Sequence, residues 1–391
     1  MTDLVFQATA AERALCNAIR SIERVDAGRL AHDYKTIGDA ALFAAAEKNG
    51  VAPIVAHSLL THLFMENPLP APWRAAFEHT AMRIQAYLEE LDRMAAALAA
   101  AGIPLIALKN AGIARGIYRH SGASPMGDID VLIRPEDFFA ADNVLTEMGY
   151  RLKFRNEYEE NNIEAAFKAG GAEYSCTLPG GAPLWVELQW RPIAGRWIQP
   201  EQEPNAADLV ARARLINESD VLLMAPEDNL LQVCLHTAKH SFVRAPGFRL
   251  HTDVDRIVSG QSIDWGVFTQ NVGDLRVRTA TFFALAMAKS LLHTDIPVAV
   301  LTALKPPKWK TRLITRWLNR VGVFNPDDKK WSNLGYIFFV ALLYDGMGDL
   351  GRAAFPPLEK MKQRYAGVNR LTLPWFHLRR LAGLVLHRTG I

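Results

Sequence analysis

Asp128 and Asp130 stand two residues apart, directly after Gly127 and at the start of the apolar run 131–133. The run of Val, Leu and Ile predicts a buried β-strand. Because side chains alternate across a strand, the two carboxylates point to the same side. Two carboxylates together beside an apolar strand are costly unless a cation lies between them, and Mg²⁺ (or Mn²⁺) suits such hard oxygens. The spacing therefore predicts a metal site, with two solvated aspartates at a strand end as the alternative.

A small-residue turn with a lysine precedes these acids. Residues 103–108 predict a short strand, and Lys109, Asn110 and Ala111 then open an amphipathic helix. Backbone N–H groups at the start of a helix hold anionic oxygens, and a lysine adds a point charge for phosphate. The turn is therefore a candidate phosphate site.

A third acid, Glu187, lies on a second candidate strand, over residues 184–190. It is the only ionised group of that strand and has apolar residues on both sides. If the two strands are neighbours, Glu187 joins the aspartates at the metal. The alternative is an edge strand whose acid faces water.

These motifs together resemble a known group of enzymes. The run from Leu108-Lys109 through Tyr118 to Pro125-Met126-Gly127-Asp128-Ile129-Asp130 and on to Pro135-Glu136-Asp137 is similar to the signature of a poorly characterised nucleotidyltransferase family. That family belongs to the DNA polymerase β-like nucleotidyltransferase superfamily. Weaker likeness extends the resemblance over residues 10 to 370, through 236–240, 253–256 and 355–365. The chain departs from the family pattern at Asn110, where Gly is usual, and at Ser124, where Arg is usual.

The resemblance implies transfer of a nucleoside monophosphate from a nucleoside triphosphate (NTP) to an acceptor, with release of pyrophosphate. Asp128, Asp130 and Glu187 are the implied metal ligands and catalytic groups, Gly127 contacts the nucleotide, and the turn at Lys109 holds the β and γ phosphates. The acceptor is unknown: a small molecule, a peptide or a protein. Nucleic acid remains possible but is not favoured, because a formal charge of +3 does not by itself indicate such a partner. The two departures motivate an alternative, a catalytically degenerate protein of this fold that only binds a nucleotide or a partner.

His236, Lys239 and His240 form a second polar group on a predicted helix over residues 226–242. The two histidines are four residues apart and share a face. No third ligand for zinc accompanies them. The patch is either a hydrogen-bonded feature inside a helical region, or a face that closes over the acids. In the second case Lys239 contacts the triphosphate, and a histidine contacts the acceptor or Asp253. The sequence otherwise predicts that Asp253 and Asp255 are ordinary surface acids of their helix.

The fold class that follows is α+β, with a small mixed β-sheet nucleotidyltransferase core flanked by N-terminal and C-terminal helical regions. The expected domains are residues 1–75 (helical), 76–200 (nucleotidyltransferase core) and 201–391 (helical). The sequence predicts helices over residues 10–22, 40–48, 51–64, 73–101, 135–148 and 226–242, and further strands over 150–154 and 172–178.

The composition is that of an ordinary globular protein, with 50% hydrophobic and 22% charged residues. Three widely spaced cysteines argue for a reducing compartment, and with no recognisable secretory signal the expected location is the cytoplasm. No transmembrane segment is expected, because the longest apolar run near the C-terminus, 336–344, is far too short. No acid follows Glu359, whereas seven basic residues do. This basic tail is either a helix that touches a membrane surface or a polyanion, or a packed helix with a solvated basic face.

Overall fold

The structure is a computed structural model that describes residues 4–154, 163–193, 197–365 and 367–386. It combines many helices with one mixed β-sheet, so the predicted α+β class is confirmed. The end of the predicted basic tail, from residue 387 onwards, lies outside the described residues.

Five helices precede the sheet: α1 (Ala10–Ala18), α2 (Ala27–Ile37), α3 (Asp39–Lys48), α4 (Ala52–His62) and α5 (Ala71–Ala100). The helices predicted at 40–48, 51–64 and 73–101 are confirmed to within two residues. The predicted helix 10–22 ends at Ala18, and a separate 3₁₀ turn follows. Helix α2 was not predicted, because Leu30 is its one buried residue and a single apolar position leaves no periodic signal.

Seven strands form the sheet within the described residues: β1 (Leu105–Ala107), β2 (Ile129–Leu132), β3 (Arg151–Leu152), β4 (Gly171–Thr177), β5 (Pro183–Gln189), β6 (Arg214–Leu215) and β7 (Val221–Leu223). Their order is β3-β4-β5-β2-β1-β7-β6. β2 pairs in parallel with β5, and β1 with β7, whereas the other neighbours are antiparallel. β6 and β7 were not predicted, because two or three residues are too few to show alternation. The helices within this region are α6 (Lys109–Gly116), α7 (Phe138–Glu147), α8 (Ile163–Ala169) and α9 (Ala206–Arg212).

The two faces of the sheet differ in polarity. Ile129 and Val131 of β2 point into an apolar core that also contains residues of α5 and α7. On the other face, Leu132 belongs to a small apolar cluster with Ala206 and Leu209 of α9. Asp130 lies on that second face, beyond the reach of this cluster. The alternation of β2 thus leaves part of one sheet face free for polar groups.

Ten helices follow the sheet in the described residues: α10 (Pro226–Lys239), α11 (Leu250–Gly260), α12 (Trp265–Asp274), α13 (Arg278–Leu292), α14 (Val298–Leu304), α15 (Lys308–Val321), α16 (Asn333–Leu343), α17 (Met347–Ala354), α18 (Leu358–Arg364) and α19 (Leu373–Leu386). Many of them share one hydrophobic core with α1, α3 and α4. The three domains remain a prediction, and the sheet itself takes β6 and β7 from beyond residue 200. No helix in the described ranges is both long enough and apolar enough to cross a bilayer.

The carboxylate of Asp255 connects the helical region before the sheet with the helical region after it. Its carboxylate accepts hydrogen bonds from the backbone N–H and the hydroxyl of Ser21, at 2.8 and 2.9 Å, and from the hydroxyl of Thr294 at 2.7 Å. Arg24 completes the group with an ion pair. Asp255 and Asp253 are both buried, so the expectation that they are surface acids is wrong. Helix α11 is covered by other helices on the side that carries them.

We expect Asp255→Ala to lower the free energy of unfolding by about 3–5 kcal/mol, because it leaves buried donors and a guanidinium without their acceptor. Urea denaturation of the purified protein measures this change. Asp274→Ala, at the exposed end of α12, is the control and should change stability by less than about 0.5 kcal/mol. Equal stability of the two variants would show that the Asp255 junction contributes little.

Candidate functional site

Asp130 and Glu187 are directly opposite each other on neighbouring strands. In the parallel pairing of β2 with β5, their Cα atoms are partners, as are those of Leu132 and Gln189. Val186 and Leu188 of β5 point into the apolar core, so Glu187 shares the other face with Asp130. Asp128 lies just before β2 and is half-buried. The predicted proximity of Glu187 and Asp130 is therefore present in the structure.

Lys109 lies between these two carboxylates. Its Nζ atom is 2.5 Å from Oδ1 of Asp130 and 3.7 Å from Oε2 of Glu187. The lysine is buried and has a left-handed backbone, with φ of 50°, at the first residue of α6. A non-glycine residue in that conformation is uncommon and is concentrated at functional sites. The carboxylates thus hold a cation that the chain itself supplies.

Two features of the local backbone place Lys109 there. The N–H of Leu108 donates to the carbonyl of Asp130 at 2.9 Å, which fixes the end of β1 against β2. A Cβ atom at Gly112 would lie 2.5 Å from the carbonyl oxygen of Ala107. Only glycine therefore lets α6 start so close to β1, and this close approach brings Lys109 over the sheet.

Burial and neighbouring charges shift the pKa values of Lys109 and Asp130. Burial alone would lower the pKa of Lys109, but Asp130 and Glu187 outweigh it and the pKa is raised. Burial raises the pKa of Asp130 well above its ordinary value, and the charges of Glu187 and Asp128 act in the same direction, while Lys109 opposes them. A bound cation would lower the pKa of Asp130, because it favours the charged form of the carboxyl groups beside it.

The donor set has the chemistry of a magnesium site, because all three acids offer hard oxygens. Within the described residues, however, no three carboxylate, imidazole or thiol groups stand close enough together to hold a metal ion. The ammonium of Lys109 fills the space between two of the three predicted ligands. A divalent ion would therefore have to exchange with Lys109, and the metal remains a prediction.

The predicted phosphate turn forms the first turn of α6. Lys109, Asn110 and Ala111 open the helix, and no side chain caps it at Leu108. Gly127 is exposed, and a Cβ atom there would meet no protein atom within 4 Å. Packing within the chain does not require glycine at this position, so the open space beside Gly127 is available to a ligand.

The polar group of α10 lies near the same place. The rings of His236 and His240 are 4.8 Å apart, and burial followed by the charge of Lys109 lowers the pKa of His236 well below its ordinary value. Lys239 donates to the carbonyl of Ile193 at 3.0 Å and so links α10 to the segment after β5. Helix α10 contacts α6, and the charge of Lys109 acts on His236. Lys239 has a structural contact with Ile193.

Sequence reasoning missed two arginines whose charges interact with each other, Arg249 and Arg83. Arg249, just before α11, is half-buried; burial lowers its pKa, and the charges that act on it include Asp253, Arg83 and Asp128. Arg83 of α5 is also half-buried, and its Nε atom has no hydrogen-bond partner. Neither guanidinium has an ion pair within the part of the chain that the structure describes. No spacing in the sequence indicates these residues, because they come from helices far apart along the chain.

Gln189 was also missed, although a signal existed. It is two residues after Glu187 and therefore shares its face. Its amide donates to Oδ1 of Asp130 at 3.0 Å, which leaves that oxygen with two donors. Glu173 of β4 continues the same row, since its Cα atom is the partner of Glu187 in the antiparallel pairing.

Ser124, the second departure from the family pattern, lies in the loop before Asp128. Ser124 is buried, and its hydroxyl has no partner in the described residues. Arg256 of α11 donates to the carbonyl of the adjacent Ala123 at 2.6 Å and lies over the ring of Tyr118 at 4.4 Å. An arginine from another part of the chain thus lies beside the position where the family usually has one.

The comparison with known families agrees with this geometry. A family described as "Uncharacterised nucleotidyltransferase" matches residues 36–293, which is more than half of the chain. The chain belongs to that family. The match includes all the candidate site residues, from Arg83 to Asp253. A search of curated proteins found no match.

Proposed function

We propose that this member of the nucleotidyltransferase family transfers a nucleoside monophosphate from an NTP to an acceptor and releases pyrophosphate. The observation that carries the proposal is the pairing of Asp130 with Glu187 on one sheet face, with Asp128 beside them and a cation between them. Family membership supports nucleotidyl transfer in general.

Asp128, Asp130 and Glu187 would hold Mg²⁺ or Mn²⁺. When bound, such an ion stabilises the entering and leaving oxygens of an in-line displacement. The ion would offset the repulsion between the three carboxylates, and Gln189 keeps the Asp130 carboxylate in place. The chain contributes placement and charge, because phosphoryl transfer needs little covalent chemistry from the protein.

Lys109 has two positions in this proposal. Without nucleotide it neutralises Asp130 and Glu187. When a cation replaces it, its ammonium turns to the β and γ phosphates, which also meet the backbone N–H groups of Asn110 and Ala111 at the start of α6. Gly127 leaves room for the nucleotide.

Arg83 and Arg249 extend the phosphate site. Two half-buried guanidinium groups that repel each other, without an ion pair in the described residues, are costly unless an anion joins them. A triphosphate beside Asp128 satisfies both. Lys239 of α10 would also meet the triphosphate, and His236 or His240 would meet the acceptor.

Glu187 is the proposed base. Its side chain is 24% exposed, so an acceptor hydroxyl can reach its Oε atoms and transfer a proton as the new bond to the α phosphorus forms. The acceptor is proposed to be a small molecule, a peptide or a protein side chain with such a hydroxyl. The cysteines at 16, 176 and 234 are free, and we keep the cytoplasm as the proposed location.

Labelled nucleotides test this function. We expect the purified chain, with Mg²⁺ and a cell extract, to transfer label from [α-³²P]NTP to an extract component, while the γ label leaves as pyrophosphate. Omission of Mg²⁺ should abolish the transfer. Transfer of the γ label to the acceptor would instead indicate a kinase and would contradict nucleotidyl transfer.

A nucleotide-binding protein without catalysis is the second candidate. It is favoured by the ammonium of Lys109 at the cation position and by the departures at Asn110 and Ser124. Calorimetry with NTPs separates the two functions, because a catalytic site binds them more tightly when Mg²⁺ is present. Binding that is indifferent to Mg²⁺, without any transfer, would favour the second candidate.

A further inference from the structure

The chain divides into an acidic and a basic part. Residues 298–391 contain sixteen Lys and Arg but five Asp and Glu, a net charge of +11, whereas residues 1–297 have a net charge of −8. The two charges nearly cancel, which gives the small overall charge of +3. The basic part contains α14 to α19. The excess of positive charge is therefore concentrated in the last helices and is not spread evenly along the chain.

Two of the acids in the basic part have partners inside the protein. Asp345 accepts hydrogen bonds from the backbone N–H groups of Arg278 and Thr279, at 2.8 and 2.7 Å. Asp349 is buried and pairs with Arg276 and Arg352. Asp345 therefore binds backbone groups of α13, and the ion pairs of Asp349 are with arginines outside α15 and α19.

Helix α15 exposes basic and apolar residues side by side. Basic side chains recur every four residues, and all of them are exposed: Lys308, Arg312, Arg316 and Arg320. Such spacing places them in one line along the helix. Trp309 and Leu313 form a parallel line one residue further on and are 61% and 39% exposed. The opposite side, with Ile314 and Leu318, is buried in the core.

An apolar groove continues this face. A cavity of about 280 Å³ lies between α15, α16 and α17, and its lining includes Trp309, Leu313, Phe338 and Met347. Phe338 and Met347 are 65% and 80% exposed. Exposed apolar residues of this size in one place mark an interaction surface.

Helix α19 also exposes basic and apolar residues side by side. Trp375 and Leu378 are exposed, and Arg379 next to them is exposed as well. Arg380 ties the helix to the end of α17 through a hydrogen bond to the carbonyl of Ala354 at 3.0 Å. A second amphipathic helix therefore packs next to the helix that borders the groove.

We propose that this face binds the surface of a bilayer that contains anionic lipid. The lysines and arginines of α15 and α19 would meet lipid head groups, while Trp309, Leu313, Phe338 and Met347 enter the boundary between head groups and acyl chains. The helices lie on the membrane and do not cross it. Leu313 and Met347 favour lipid over single-stranded nucleic acid, because bases stack on flat rings and these side chains have none.

Vesicle co-sedimentation tests the proposal with the full chain. We expect binding to vesicles of phosphatidylcholine mixed with phosphatidylglycerol, weak or no binding to phosphatidylcholine alone, and weaker binding as salt is raised. Equal binding to both vesicle types, or binding to single-stranded RNA with none to vesicles, would overturn it. None of the residues of this face is a candidate site residue, and the labelled-nucleotide assay reports the proposed transfer activity separately.

Paired variants identify the face. Arg312→Glu with Arg316→Glu should weaken binding to anionic vesicles at least about tenfold, since each reversed charge loses an attraction and adds a repulsion. Trp309→Ala with Leu313→Ala should weaken binding that persists at high salt. The matched control is Arg74→Glu with Met82→Ala, a basic and an apolar residue exposed on α5. All six positions are exposed, so thermal melting should be unchanged, and equal binding by test and control variants would contradict the assignment.

Discussion

Asp130→Asn is expected to slow nucleotide transfer by at least about a thousandfold. The substitution keeps the shape of the side chain but removes the charge that faces Lys109, and with it the most buried of the three carboxylates. An amide is a poor ligand for a divalent ion compared with a carboxylate. Steady-state transfer of the α label at saturating Mg²⁺ and NTP measures the effect as a loss in kcat.

Glu136→Gln is the control for this variant. It removes one acidic charge six residues away, on a side chain that is 62% exposed, and should leave kcat within about twofold of the parent. Thermal melting shows whether Asp130→Asn remains folded. A folded Asp130→Asn protein with the parent's activity would reject the assignment of the acids.

Lys109→Met should have the second largest effect. Methionine has nearly the same length but no charge, so Asp130 and Glu187 face each other without a buried counter-ion. We expect the free energy of unfolding without metal to fall by about 3–5 kcal/mol. Mg²⁺ or Mn²⁺ should then raise the melting temperature more than it does in the parent, because no ammonium has to be displaced and the ion binds the folded state.

Lys48→Met serves as the matched control, because it removes an exposed lysine at the end of α3 and should change neither stability nor the response to metal. Transfer by Lys109→Met should be slow even at saturating Mg²⁺, since the phosphates lose a contact. If metal stabilises this variant no more than the parent, Lys109 does not occupy a cation site.

The acids of the site were predictable because their positions follow from strand geometry. Alternation along β2 and β5 places Asp130 and Glu187 opposite the apolar residues, and burial of those apolar residues fixes the register of the pair. The charge of Lys109 was predicted, but not the carboxylates beside it. That contact depends on how close α6 lies to β1, which Gly112 decides through a steric effect invisible in the spacing of charges.

Other parts of the site depend on packing between distant segments. Arg83 and Arg249 are separated by the whole sheet region, and nothing in either local sequence indicates that their charges interact. Likewise, the sequence around Asp255 is that of a surface helix. Its burial depends on contacts with Ser21, Arg24 and Thr294, which come from other segments. Short or weakly patterned elements, such as α2, β6 and β7, carry too few apolar positions to be recognised alone.

The core shared by the first and last helical regions also has a consequence for biosynthesis. Residues such as Leu15 and Val55 emerge from the ribosome long before Phe283 and Phe339, with which they share one apolar core. The nascent chain must keep these early helices from aggregating until the late ones are made, because contacts so far apart in sequence form slowly. We therefore expect the first helical region to complete its core only after the last helical region has been synthesised.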